Sequence, residues 1–152
     1  MGLIGQMFEG FRVGREEKIR HLERVPIFAD CSLKQLRSIA DISKVVEVPE
    51  RTILFRSGEP GEEFFILIDG TAHVTVSPQK RARIRPGEFF GEMSLLDGGP
   101  RSATVIADTG IRLLVVHRRD FITVLGEVPS LTQRMLVTLC QRVRAAEKAL
   151  NA

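Results

Sequence analysis

The order of hydrophobic and polar positions divides the chain into helix, strands and helix. Leu3, Ile4, Met7, Phe8 and Phe11 fall at helical spacing, with glycine at positions 2, 5, 10 and 14. The spacing argues for an amphipathic helix and the glycines against a stable one. Core or self-packing is the expected fate of this segment, and docking to a partner is the sharper alternative. Residues 15–24 are densely charged and helical in pattern. Ser32 is placed to cap a helix over 33–41, with Leu33, Leu36, Ile39 and Ala40 on one face.

The period then changes to two. Val46 and Val48 alternate with Glu47, and Thr52 to Phe55 follow a turn at Glu50-Arg51. Phe64 to Ile68 form a nearly continuous apolar run, and Asp69-Gly70 supplies a tight hairpin turn. Thr71–Val76, Arg81–Arg85, Ala103–Ala107 and Ile111–His117 complete seven or eight short strands, the pattern of a sandwich or barrel. The helical period returns at Phe121, Ile122 and Leu125, a short helix ending before Gly126 and Pro129. Ser130 is placed to cap a last helix whose apolar positions Leu131, Met135, Leu139 and Val143 recur every four residues.

Composition narrows the function classes. The chain has 152 residues, room for one domain, with 43% hydrophobic and 27% charged residues. A net charge of +3 is too slight to mark a nucleic-acid binder. The one dense basic stretch is Lys80, Arg81, Arg83 and Arg85, where the arginines alternate with Ala82 and Ile84 as on a solvated strand. A basic partner patch is the alternative there. Cys31 and Cys140 have no metal spacing and read as two free thiols. No apolar run is long enough to span a membrane. The N-terminus lacks a signal-peptide pattern, and Gln6 stands where myristoylation wants Ser or Thr, so the expected location is the cytoplasm. His21, His73 and His117 show no metal-ligand spacing and read as structural or solvated.

The informative stretch runs from Phe89 to Val105. Gly91 lets the backbone turn sharply, and Glu92 to Leu96 suits a single helical turn whose first amides form an anion site. Gly98, Gly99 and Pro100 return the chain, and Arg101 presents a planar fork of donors that matches a phosphate. Ser102 adds a hydroxyl. The Glu92 carboxylate would repel a phosphate but can accept hydrogen bonds from a ribose. An anionic phosphate beside a sugar uses both groups.

Phe90-Gly91-Glu92-Met93-Ser94-Leu95-Leu96, a short spacer, then Pro100-Arg101-Ser102-Ala103-Thr104-Val105 resembles the phosphate-binding cassette of cyclic nucleotide-binding domains. These are the domains of cAMP-dependent kinase regulatory subunits, catabolite activator proteins and cyclic-nucleotide-gated channels. Val25-Pro26-Ile27-Phe28 with Ser32-Leu33-Lys34-Gln35-Leu36 is similar to the family's helical entry, and Phe55 to Gly70 to its first hairpins. The resemblance covers about residues 20–145.

It implies a mainly β fold of the α+β class: a double-stranded β-helix or jelly-roll barrel of about eight strands, with N-terminal helices, a short cassette helix and two C-terminal helices. It implies a leader over 1–19 and a nucleotide-binding domain over 20–150. By the family's pattern Glu92 accepts from the ribose 2′-hydroxyl and Arg101 pairs with the cyclic phosphate. Backbone amides around Gly91, Glu92, Met93, Ser102 and Ala103 complete the cradle, with Ser94 where the family more often has Ala. Ser102 leans towards cAMP without excluding cGMP. Apolar strand residues such as Val74 are expected along the base, and Met135, Leu139 and Val143 are candidates for a lid contact; plain helix packing is an equal reading for each.

The leading expectation is therefore a non-catalytic cyclic nucleotide sensor, with cAMP as ligand rather than a resident cofactor, that reports occupancy by moving its C-terminal helices to an unnamed protein effector. A catabolite-activator-type regulator, the regulatory part of a larger effector, and a cGMP-binding member are the alternatives. No DNA-binding module is expected after the long helix, so the chain is not expected to bind nucleic acid by itself. A metal-dependent enzyme on a similar barrel would need clustered histidines, and the three here are scattered. The sequence assigns no oligomeric state.

Overall fold

The structure, a computed structural model, describes residues 13–77 and 80–151. The amphipathic pattern at Leu3–Phe11 lies outside them. The chain opens with helix α1 (Arg15–Glu23), a 3-10 turn at Pro26–Phe28 and helix α2 (Leu33–Asp41). Ser32 caps α2 as expected: its Oγ accepts from the Gln35 N–H at 3.1 Å, and Gln35 Oε1 accepts from the Ser32 N–H at 2.9 Å. Leu36, Ile39 and Ala40 are buried, whereas Leu33, at the first helical position, stays half exposed.

Among the described residues eight strands follow: β1 (Ser43–Val48), β2 (Ile53–Phe55), β3 (Glu63–Asp69), β4 (Ala72–Ser77), β5 (Lys80–Ile84), β6 (Phe89–Phe90), β7 (Thr104–Ala107) and β8 (Ile111–His117). Helix α3 (Glu92–Asp97) sits between β6 and β7, and α4 (Arg118–Glu127) and α5 (Pro129–Leu150) close the chain. The strands form two antiparallel four-stranded sheets, ordered β1-β8-β3-β6 and β2-β7-β4-β5.

The apolar run in β3 is continuous because the first sheet is covered on both faces. Phe65 and Leu67 point to the second sheet and join Leu54, Phe55, Val105 and Ala107 in one core. Phe64 and Ile66 point the other way, into a core shared with α1, α2, α4 and α5. There the Phe64 ring stacks on Phe121 of α4 at 4.4 Å between centroids. The result is three layers, helices on a buried sheet on a half-covered sheet.

The structure corrects three local expectations. Asp69-Gly70 is a tight turn, with Gly70 at φ +88°, but it joins no hairpin. It carries the chain from one sheet to the other: β3 pairs with β8 and β6, β4 with β7 and β5. The β3–β8 register slips between Leu67 and Asp69, where the strand leaves its ladder. The last helix begins at Pro129 rather than behind a Ser130 cap, proline being preorganised for the first helical position. The helix before it is longer than its apolar triplet suggested. It starts at Arg118, where His117 Nδ1 accepts from the Arg119 N–H at 3.2 Å, and it runs through Gly126. Arg81 and Arg83 are exposed on β5, at the edge of the second sheet, where charge guards an open strand.

Candidate functional site

Strand β6 delivers the chain to Gly91, which has a left-handed φ of +84°. A Cβ there would lie 2.9 Å from Arg101 Nη1 and 3.1 Å from the Phe65 ring, so both conformation and space demand glycine. α3 follows for six residues and ends at Gly98, φ +73°. The return loop is pinned by Asp97 Oδ1, which accepts from the Gly99 N–H at 2.8 Å. Arg101 then enters between two backbone hydrogen bonds, its N–H donating to the Glu59 carbonyl at 2.8 Å and its carbonyl accepting from the Gly58 N–H at 2.7 Å.

The Arg101 guanidinium is only 3% exposed, an unusual place for a permanent charge. Nη1 donates to the Gly91 carbonyl at 2.7 Å and Nη2 to the Glu63 carbonyl at 2.8 Å. The Glu63 carboxylate lies 3.7 Å from Nη2, and the fork lies over the Phe55 ring, 4.2 Å from its centroid. Nε is buried with no hydrogen-bond partner. A Cβ at Gly61 would collide with that same Nε, so glycine leaves room for the guanidinium to pack there. Burial holds Arg101 below its ordinary pKa, while the carboxylates of Glu63, Glu92, Glu62 and Glu59 act in the opposite direction. An anion against Nε would satisfy the orphan donor and offset the desolvation.

A cavity of about 200 Å³ opens beside this group. Phe55, Phe90 and Val105 give it an apolar lining, and Val74 of β4 also borders it. Gly91, Glu92, Met93, Ser94, Arg101, Ser102 and Ala103, all seven residues singled out in the cassette, line it together. Glu92 is buried at the start of α3. Burial pushes its carboxyl pKa up, with Arg142 and Arg101 acting to lower it. Glu92 and Arg101 do not simply pair with each other. Arg101 takes Glu63, and Glu92 Oε1 accepts from Arg142 Nη1 at 3.1 Å. Ser102 is exposed, its Oγ 3.7 Å from Met93 Sδ, with its hydroxyl at the rim.

Arg142 is the residue sequence reasoning missed. It projects from α5, donates through Nη2 to the Phe89 carbonyl at 2.7 Å, and lies over the Phe89 ring at 4.3 Å. Met135 and Leu139 pack into the core on the helix side, and Val143 is 57% exposed; none of the three lines the cavity. In this arrangement α5 reaches the site through Arg142 instead. The available signal was a cation three residues after Leu139 and seven after Met135, on the face that α5 turns inward.

A family model described as the cyclic nucleotide-binding domain matches residues 45–127, which contain β2 to β8 and the whole cassette. The chain belongs to this family. The cyclic nucleotide-binding domain is 35% identical over 125 residues to a cyclic nucleotide-gated potassium channel of Mesorhizobium japonicum, covering 82% of this chain and 35% of the channel. It superposes on the cAMP-bound regulatory domain of Toxoplasma gondii protein kinase A with a TM-score of 0.72 at 25% identity, over 82% of this chain and 50% of that one. It is also similar to the regulatory subunit of a cAMP-independent protein kinase A from Trypanosoma brucei, with a TM-score of 0.71 at 25% identity, over 80% of this chain and 46% of that one. The chain spans about a third of the length of the curated relatives it matches. No helix among the described residues is long and apolar enough to cross a membrane, and no group of three or more His, Cys, Asp or Glu among them could hold a metal ion.

Proposed function

We propose that this domain is a non-catalytic cyclic nucleotide sensor, with cAMP as its preferred ligand. The observation that carries the reading is the buried Arg101 guanidinium, its Nε unpartnered, on the wall of a cavity that Glu92 also lines. Relatives of the same fold include a cAMP-independent one, so the residues of the site, not the fold, must choose the ligand. Here both charged members of the cassette are present.

In this reading the cyclic phosphate meets Arg101 Nε and the amides at the start of α3. The ribose 2′-hydroxyl donates to Glu92, and the base lies towards Val74. The hydroxyl and Arg142 both favour the ionised Glu92 carboxylate, so each strengthens the other's hold. Binding then favours the position of α5 in which Arg142 is engaged, and that movement of the C-terminal helices is the output. The two sheets act as the halves of a jelly-roll barrel around the ligand. The two free thiols, Cys31 and Cys140, fit a reducing cytoplasm, and the effector is a separate protein or a further domain.

Parallel calorimetric titrations with cAMP, cGMP and non-cyclic AMP test the assignment. The expected order is cAMP tightest, cGMP weaker because Ser102 offers only a rim hydroxyl, and AMP weakest because its dianion is larger than the cradle. Equal or absent binding of all three would overturn it.

A further inference from the structure

The dense basic stretch of the sequence forms strand β5, which the nucleotide cavity does not use. β5 pairs with β4 on one side, and among the described residues no strand pairs with its other side. Its outward main-chain donors and acceptors are therefore open to another chain. The side chains alternate by face. Ile84 is buried in the core between the sheets, and Arg81 and Arg83 stand exposed on the opposite face.

In register, Arg83 lies opposite His73 of β4 and Arg81 opposite Thr75. The acids nearby have other partners. Asp108 pairs with His73 Nδ1, and Glu88 Oε1 accepts from the Arg85 N–H at 2.7 Å. Among the described residues neither Arg81 nor Arg83 has an ion pair or a side-chain hydrogen bond, whereas Arg15, Arg112 and Arg134 each hold a carboxylate.

Those charges select the occupant. A second β5 laid antiparallel at full overlap would set Arg81 against Arg83, like charge on like. Residues 1–12 of the chain hold one acid, Glu9, against Arg12, so they supply no acidic strand. An extended segment with carboxylates at alternate positions meets both demands of the edge. Its main chain continues the ladder, and every second side chain faces an arginine. The charge that bars like edges admits an opposite one.

We propose that β5 is a docking edge for an acidic, extended segment of a separate protein, which adds to the sheet as a new edge strand and sets alternate carboxylates against Arg81 and Arg83. β5 has five residues and its ion pairs are exposed, so the dissociation constant is on the order of 100 µM and rises with salt. β4 lies between β5 and β7 and carries Val74 to the nucleotide cavity, so the docking edge sits one strand outside the cavity wall.

The test is an amide chemical-shift titration of the full chain with short capped peptides, one alternating glutamate with valine and one alternating lysine with valine. The glutamate peptide should shift the amides of β5 and bind more weakly as salt is added, and the lysine peptide should not bind. Methylating the amide nitrogens of the glutamate peptide keeps its charge, removes its donors to the edge, and should abolish binding. The Arg81→Glu, Arg83→Glu double variant should keep its circular dichroism spectrum, since both side chains are exposed. It should lose the glutamate peptide and gain the lysine one. No binding at about 1 mM, equal binding of the two peptides or of the methylated one, shifts that leave β5 untouched, or a double variant that does not exchange one peptide for the other would each overturn the proposal. So would tighter binding of single-stranded RNA or of phosphatidylserine vesicles through the same two arginines.

Discussion

Arg142 Nη1 lies 3.1 Å from Glu92 Oε1, joining the last helix to the residue expected to read the ribose. The contact spans 50 positions of sequence and is a direct side-chain link between α5 and the cassette. Its guanidinium is partly exposed but Glu92 is buried, so losing Arg142 leaves a buried carboxylate unpaired and costs more than the ~0–1 kcal/mol of a fully exposed pair. Its consequence is coupling. Arg142→Ala should lower the unfolding midpoint modestly, weaken cAMP binding about tenfold (about 1.4 kcal/mol), and speed amide exchange over residues 139–150 in the free protein. Hydrogen-exchange mass spectrometry of both proteins, with and without nucleotide, reads all of this.

Glu92 predicts a pH dependence. Burial raises its folded pKa above the unfolded value, so its acid form is the one the free fold accommodates better. It therefore contributes stability that is fully present below the unfolded pKa and is lost as pH rises through the folded one. Nucleotide binding runs the other way, because a ribose hydroxyl donates to the carboxylate. Affinity should rise with pH across that acid window, by up to about tenfold per pH unit, and level off above it. Glu92→Gln should bind more weakly and show no such rise in calorimetry from mildly acidic to neutral pH.

Gly61 tests the orphan donor without removing it. A Cβ at this position would collide with Arg101 Nε and Cζ. The arginine is fixed by two carbonyls and cannot yield cheaply. Gly61→Ala should lower cAMP affinity by at least about tenfold (about 1.4 kcal/mol) while preserving the circular dichroism spectrum. Wild-type affinity would show that Nε does not face the ligand.

Phe64 tests the layer that holds the helices. It is 2% exposed and stacks on Phe121, so it joins the first sheet to α4. Phe64→Ala should cost about 3–5 kcal/mol in urea unfolding, as large-to-small core changes do.

How much was legible in the sequence follows the range of each interaction. The Ser32 cap needed only three residues of chain and stands where the pattern put it, with Gln35 completing a capping box. Gly91, Glu92 and Arg101 were legible because a left-handed turn, a buried carboxylate and a fork of donors leave few residue choices, and they occupy one short segment. Strand partners were not legible. Phe65 pairs with Phe90 and Val115, and Glu63 with His117, so adjacency in sequence misled at Asp69-Gly70. The two-residue β6 is too short to show a period. Arg142 was hidden for a related reason. A cation in an amphipathic helix reads as solvated until the packing of Leu131 and Met135 fixes which side of α5 faces the cassette.

The central claim is that Arg101 is held buried for an anionic ligand, and isothermal titration of cAMP into the wild type, Arg101→Lys and Arg101→Ala tests it most directly. The account predicts saturable one-to-one binding to the wild type. It predicts a loss of at least about 100-fold (about 2.8 kcal/mol) in Arg101→Ala, with Arg101→Lys between the two because charge remains while the fork is lost. Equal affinity across three variants shown to be folded by circular dichroism would contradict it.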